Sequence, residues 1–162
     1  MRNDIYDFAR LGTFLERSDN TARILDVKYY VLLPTAFHVG TWIDNVQWET
    51  ILRSVSAQRA YRWQNPGAVR PAGIAEFLIL DRRMPRSLAF CYQKIDDNLG
   101  FLAADYGVEH DCHRASRELL SRIENRSIDS IFEEGLHEFL DRCIRATNDL
   151  GRQIERDYRF NE

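Results

Sequence analysis

The stretch from Phe8 to Leu33, FARLGTFLERSDNTARILDVKYYVLL, decides the fold. Counting from Phe8, the positions Leu11, Leu15, Ser18, Ala22, Leu25, Tyr29 and Leu32 advance by alternating steps of three and four. That spacing draws one stripe down a helix packed lengthwise on its neighbours. Pro34 ends it, because a proline disfavours helical geometry in the residue before it. The spacing predicts a helix over about 4–33, a length typical of bundles.

The rest of the chain reads in the same way. Asp44, three residues before Gln47, suggests a variant capping box. It opens a second helix carrying Trp48, Ile51, Leu52 and Val55 that fades near Trp63. Asn65-Pro66-Gly67 is a turn by composition, and Pro71 suits the first position of a short third helix. Asp81-Arg82-Arg83-Met84-Pro85 breaks that helix, and Pro85 is expected to start a fourth, with Leu88, Cys91, Tyr92, Ile95, Leu99 and Leu102 on its inner side. A polar link from Glu109 to His113 precedes a fifth helix bearing Leu119, Leu120 and Ile123. Ser127 is a cap, and the last helix repeats the stripe with Leu136, Leu140, Cys143, Thr147, Leu150, Ile154 and Tyr158. No run of alternating β-branched residues marks a strand. The expectation is a single all-α domain over 1–162, a bundle of about five to six helices with long first and last members. Leu11-Gly12 before Leu15-Glu16-Arg17 is echoed by Leu150-Gly151 before Ile154-Glu155-Arg156, a match that helical stripes also produce by chance.

Composition narrows the classes. At 162 residues the chain suffices for one core, and a net charge of −3 gives no general reason to expect nucleic acid or an anionic membrane as partner. Lys28 and Lys94 are the only lysines, so the cations are nearly all arginines, suited to fixed bidentate contacts. Three widely spaced cysteines, an odd number, argue against a disulfide framework and for a reducing, cytoplasmic setting. No apolar run is long enough to span a bilayer, and Met1 to Phe8 lacks the apolar core of a secretory signal.

The densest polar cluster lies in the first helix. Glu16, Asn20 and Arg23 share one face, and Asp19, Arg23 and Asp26 form a second ladder nearer the apolar stripe. Such ladders can line a polar pocket between helices. They can equally face solvent, where each pair contributes about 0.3–0.5 kcal/mol. A second candidate is the junction Asp81 to Ser87, where Arg82, Arg83 and Arg86 beside a helix start could hold an anion; the alternative is that Asp81 caps the next helix. His110, Cys112 and His113 are metal-ligand types, but in a polar loop with no CxxC they point more readily to plain surface, and no metal is expected. Cys91 and Cys143 fall on helical stripes as core fillers. His137 could pair one turn away, and His38 lies in a polar loop. Neither a phosphate loop, a nucleophile elbow nor an HExxH motif occurs, and no cofactor is expected.

The segment from Phe14 to Val27, with its Glu16-Arg17 pair, resembles the signature of the bacterial alpha-E domain family, an α-helical domain with a Glu-Arg motif. The likeness continues through Gln47-Trp48, Phe77 to Asp81 and Pro85-Arg86-Ser87. The resemblance implies no firmly assigned activity. It does imply company: such proteins are typically encoded beside, or fused to, ATP-grasp ligases, and often near transglutaminase-like proteases. The site it implies is Glu16, Arg17, Asn20, Arg23 and Asp26, with Asp81 and Ser87 next. Longer members carry a further N-terminal helical region, so this chain looks like their C-terminal part, and a lone half is expected to self-associate. The leading expectation is a helical partner in ATP-grasp-linked peptide ligation or modification. The rivals are an enzyme with Glu16 as general base and Arg17 or Arg23 holding an anionic substrate, and a self-associating scaffold.

Overall fold

A computed structural model describes residues 3–31, 42–67 and 69–160, with side chains described from 3–27, 46–67 and 69–160. The described residues form eight helices: α1 (Asp4–Val31), α2 (Trp42–Ser54), α3 (Gln58–Gln64), α4 (Pro71–Ile79), α5 (Leu88–Tyr106), α6 (Asp111–Ser121), α7 (Ile128–Glu134) and α8 (Leu136–Asp157). The all-α expectation holds, and no described residue lies in a strand. No helix among the described residues is long and apolar enough to cross a membrane.

The helices begin and end where side-chain chemistry dictates. Asn3 Oδ1 accepts from the Tyr6 backbone N–H at 3.0 Å, satisfying a donor that the start of α1 cannot pair internally. Pro71 occupies the first turn of α4, as expected. Ser87 caps α5 by accepting from the Phe90 N–H at 3.0 Å. Gly107, at φ +71, ends the same helix in the left-handed conformation that costs a glycine least.

Several boundaries differ from the reading above. Pro85 does not open α5; it sits in the preceding turn, and Ser87 is the cap because it supplies the oxygen that proline lacks. The second helix is broken: α2 ends at Ser54, Ser56 adopts φ +55, and α3 starts at Gln58. Gly135, at φ +103, separates α7 from α8. The helix count therefore exceeds five to six. α2 starts at Trp42, so Asp44 lies inside its first turns and is not a cap. Pro34 and His38 lie outside the described residues.

α1 packs along both α5 and α8, and α6 closes against the same pair. α2, α4 and α7 form a smaller group, with α7 also touching α8. Because α1 is covered on two sides, its buried surface is wider than a single stripe. Leu11, Phe14, Ser18, Thr21, Ala22 and Leu25 are all buried, whereas Phe8 and Leu15 are only half-buried at its margin. The polar members are satisfied locally or across the seam. Ser18 Oγ donates to the Leu15 carbonyl at 2.9 Å, and Thr21 Oγ1 donates to the Arg86 carbonyl at 2.8 Å. Between α5 and α8, the buried hydroxyls of Tyr92 and Thr147 meet at 3.1 Å. The echoed segments of α1 and α8 face one another, and a Cβ at Gly151 would stand 3.9 Å from Leu15 Cδ1.

Candidate functional site

α1 turns its polar residues in three directions. Glu16 points outward and is exposed, with Asn20 Nδ2 donating to its Oε1 at 3.4 Å. Asp19 and Asp26 turn toward α8. Asp19 accepts from Arg23 Nε at 2.7 Å and from Asn148 of α8 at 3.4 Å. The Asp19 carboxylate raises the Arg23 pKa. Asp26 Oδ1 lies 2.6 Å from His137 Nδ1 near the start of α8, and that hydrogen bond raises the histidine pKa. His137 thus pairs across to Asp26 of α1, with Glu138 and Asp141 of its own helix adding to the same shift.

Arg17 goes the other way, toward α5. Its guanidinium carbon lies 5.7 Å from the Phe14 ring centroid, and Arg10 covers the same ring at 4.4 Å. Phe14 meets Phe90 of α5 edge-on, with centroids 5.9 Å apart. Positions 10, 14, 17 and 21 form one row by helical spacing, and Thr21 at its end holds the Arg86 carbonyl. The Glu-Arg pair is therefore divided, with its acid facing solvent and its base laid on the α1–α5 seam.

Asp81 and Ser87 build the turn into α5. Asp81 Oδ1 accepts from the Arg83 and Met84 N–H groups at 2.7 and 3.2 Å, and Ser87 Oγ donates to the Asp81 carbonyl. Asp81 thus ties the turn instead of capping α5 itself. Its other oxygen accepts from Gln64 Nε2 at 2.6 Å, at the edge of a cleft of about 290 Å³ that also involves Glu76 and Phe77. Of the three junction arginines, Arg82 reaches Glu124 at 3.4 Å and Arg83 reaches Asp81 at 3.7 Å; both are exposed. Arg86 is half-buried and bears on the Cys91 thiol together with Arg17.

The Glu109–His113 link is not plain surface. Cys112 and His113 are buried, and His113 is part of a capping box at the start of α6. Its Nδ1 accepts from the His110 N–H at 2.9 Å, and its Nε2 lies 3.0 Å from the Leu99 carbonyl. With Nδ1 accepting from the His110 N–H, Nε2 is the nitrogen that donates to the Leu99 carbonyl. No group of three or more His, Cys, Asp or Glu side chains suited to a metal occurs among the described residues. Burial pushes the Cys91 and Cys112 thiols up to about 12 and Cys143 to about 11, so none is a ready nucleophile.

A groove of about 360 Å³ between α6 and α8 carries Arg114, Arg122, Arg152 and Arg156 beside Asp111, Glu118 and Asp149. Arg114 and Arg152 are paired within it, at 3.0 Å to Asp111 and 2.5 Å to Asp149. The sequence reading missed this groove and also missed Arg10. The spacing of Arg10, Phe14 and Arg17 was the available signal for the latter.

The Alpha-E family, described as a predicted alpha-helical domain with a conserved ER motif, matches residues 1–159. The chain belongs to the Alpha-E family. Its Glu-Arg pair is read as Glu16-Arg17, the pair whose surroundings are described above. No match is found among curated proteins or among solved structures.

Proposed function

We propose that this Alpha-E protein is a non-catalytic helical partner in an ATP-grasp-linked system for peptide ligation or modification. It docks a peptide or partner protein through the Glu16/Arg17 helix. The observation that supports this reading is the exposure of Glu16 on an open helix face. A general base works best sheltered from water, where its proton affinity can be tuned. An exposed carboxylate beside Asn20, with Arg17 fixed on Phe14 one residue away, suits recognition of a polar chain at a surface.

The test is retention from native lysate by the tagged chain beside a Glu16→Ala/Arg17→Ala variant, each checked for helical circular dichroism. An ATP-grasp ligase retained by the parent and lost from the folded variant supports the docking helix. Equal retention by both, or recovery only of further copies of the chain, overturns it.

A further inference from the structure

Among the described residues every arginine is exposed except Arg10, Arg17 and Arg86, which are half-buried. Many of the exposed ones meet carboxylates, for example Arg23 on Asp19, Arg53 and Arg62 on Glu49, Arg117 on Glu109 and Arg126 on Glu134. The three half-buried ones form no ion pair with any described residue. They are also neighbours. Arg10 and Arg17 lie over the same Phe14 ring, and Thr21, next in that row of α1, donates to the Arg86 carbonyl at 2.8 Å. A fourth cation, Lys94, sits 5.8 Å from the Phe90 centroid but is neutralised by Asp97 at 2.6 Å.

Gathering three partly desolvated cations without a counter-charge raises their mutual repulsion. The arrangement is the more unusual in a chain with net charge −3, whose acids outnumber its arginines and lysines. A bound anion relieves that repulsion. Guanidinium groups present paired donors that match oxyanions, and the Phe14 ring holds Arg10 and Arg17 beside it before any ligand arrives. A lone carboxylate carries one charge. A phosphoryl group carries about −1.5 to −2 at neutral pH and offers three acceptor oxygens.

We propose that Arg10 and Arg17, seated on Phe14, bind a phosphoryl group together with Arg86 across the α1–α5 seam. The seat needs no second protein, so it stands or falls separately from the docking reading above.

The experiment is a titration of the purified chain followed by the arginine Nε–Hε NMR resonances. The probes are inorganic phosphate and O-phosphoserine, against sodium chloride at matched ionic strength and against succinate. Saturable shifts with the phosphorylated probes are expected, with binding about tenfold weaker or worse in Arg17→Gln and Arg86→Gln. Arg17→Lys, which keeps the charge but loses the fork, should fall between, and Arg145→Gln should match the parent. Tighter binding of phosphoserine marks an ester as the ligand, and tighter binding of phosphate marks the free anion. The proposal is overturned if chloride or succinate produces the same shifts, or if folded Arg17→Gln and Arg86→Gln bind phosphate as the parent does.

Discussion

Replacing His113 by alanine removes a ring that is 2% exposed and that joins α5 to the start of α6. Its Nε2–H donates to the Leu99 carbonyl in α5, and its Nδ1 accepts from the His110 N–H at the start of α6. A buried donor or acceptor left without a partner costs about 1–3 kcal/mol. The Leu99 carbonyl keeps its place in the α5 hydrogen-bond ladder and His110 is only half-buried, so both costs fall at the low end. The void left by the imidazole adds to them. Together these place the destabilisation at about 3 kcal/mol. With a urea dependence of about 2 kcal/mol per molar for a domain of this size, the midpoint monitored at 222 nm should fall by about 1.5 M. His113→Phe separates the contributions, because it fills the space without either hydrogen bond and should recover only part of the loss. A His113→Ala midpoint within 0.2 M of the parent would refute the reasoning and return the ring to the surface role its sequence context suggests.

Further outcomes follow from the other buried and paired groups. The folded-state pKa of His137 is raised by Asp26, so its contribution is fully present below the unfolded value near 6.5 and is lost as pH rises through the higher folded value. The parent's melting temperature, corrected for the trend in His137→Ala, should therefore fall as pH rises from 6 to 8; parallel curves for the two proteins contradict the pairing. Burial holds all three thiols protonated, so Ellman's reagent at pH 8 should label none of Cys91, Cys112 and Cys143 in the native chain and all three in guanidinium. Rapid native labelling of any one would be inconsistent with this packing. Tyr92→Phe leaves the Thr147 hydroxyl unpaired between α5 and α8 and should cost about 1–2 kcal/mol in urea unfolding, with an unchanged m-value.

The helical periodicity made the bundle legible from the sequence because α1, α5 and α8 each bury a long apolar face. The breaks were harder to read. Ser56 bends the chain at φ +55 with no glycine or proline beside it to mark the break, so α2 and α3 read as one helix. Pro85 looked like a helix start, yet the serine hydroxyl two residues on satisfies the free N–H of Phe90. In the polar cluster, spacing correctly placed Asp19 beside Arg23 and Glu16 beside Asn20. It could not reveal which helix each face would meet. The pairing of Asp26 with His137 spans 111 positions, and the contact of Thr21 with the Arg86 carbonyl depends on how α5 lies along α1. His113 was misread for the same reason: its partner Leu99 sits on another helix, and nothing in the local run from Glu109 to His113 announces burial.

The docking role of the Glu16/Arg17 helix is tested most directly by measuring the affinity of the purified chain for a purified ATP-grasp ligase from the same organism. The measurement is made by titration calorimetry with the parent and with the folded Glu16→Ala/Arg17→Ala variant. The account predicts a saturable complex with the parent and a complex weakened at least about tenfold, some 1.4 kcal/mol, with the variant. No heat of binding with the parent, or equal affinity for both proteins, would contradict it.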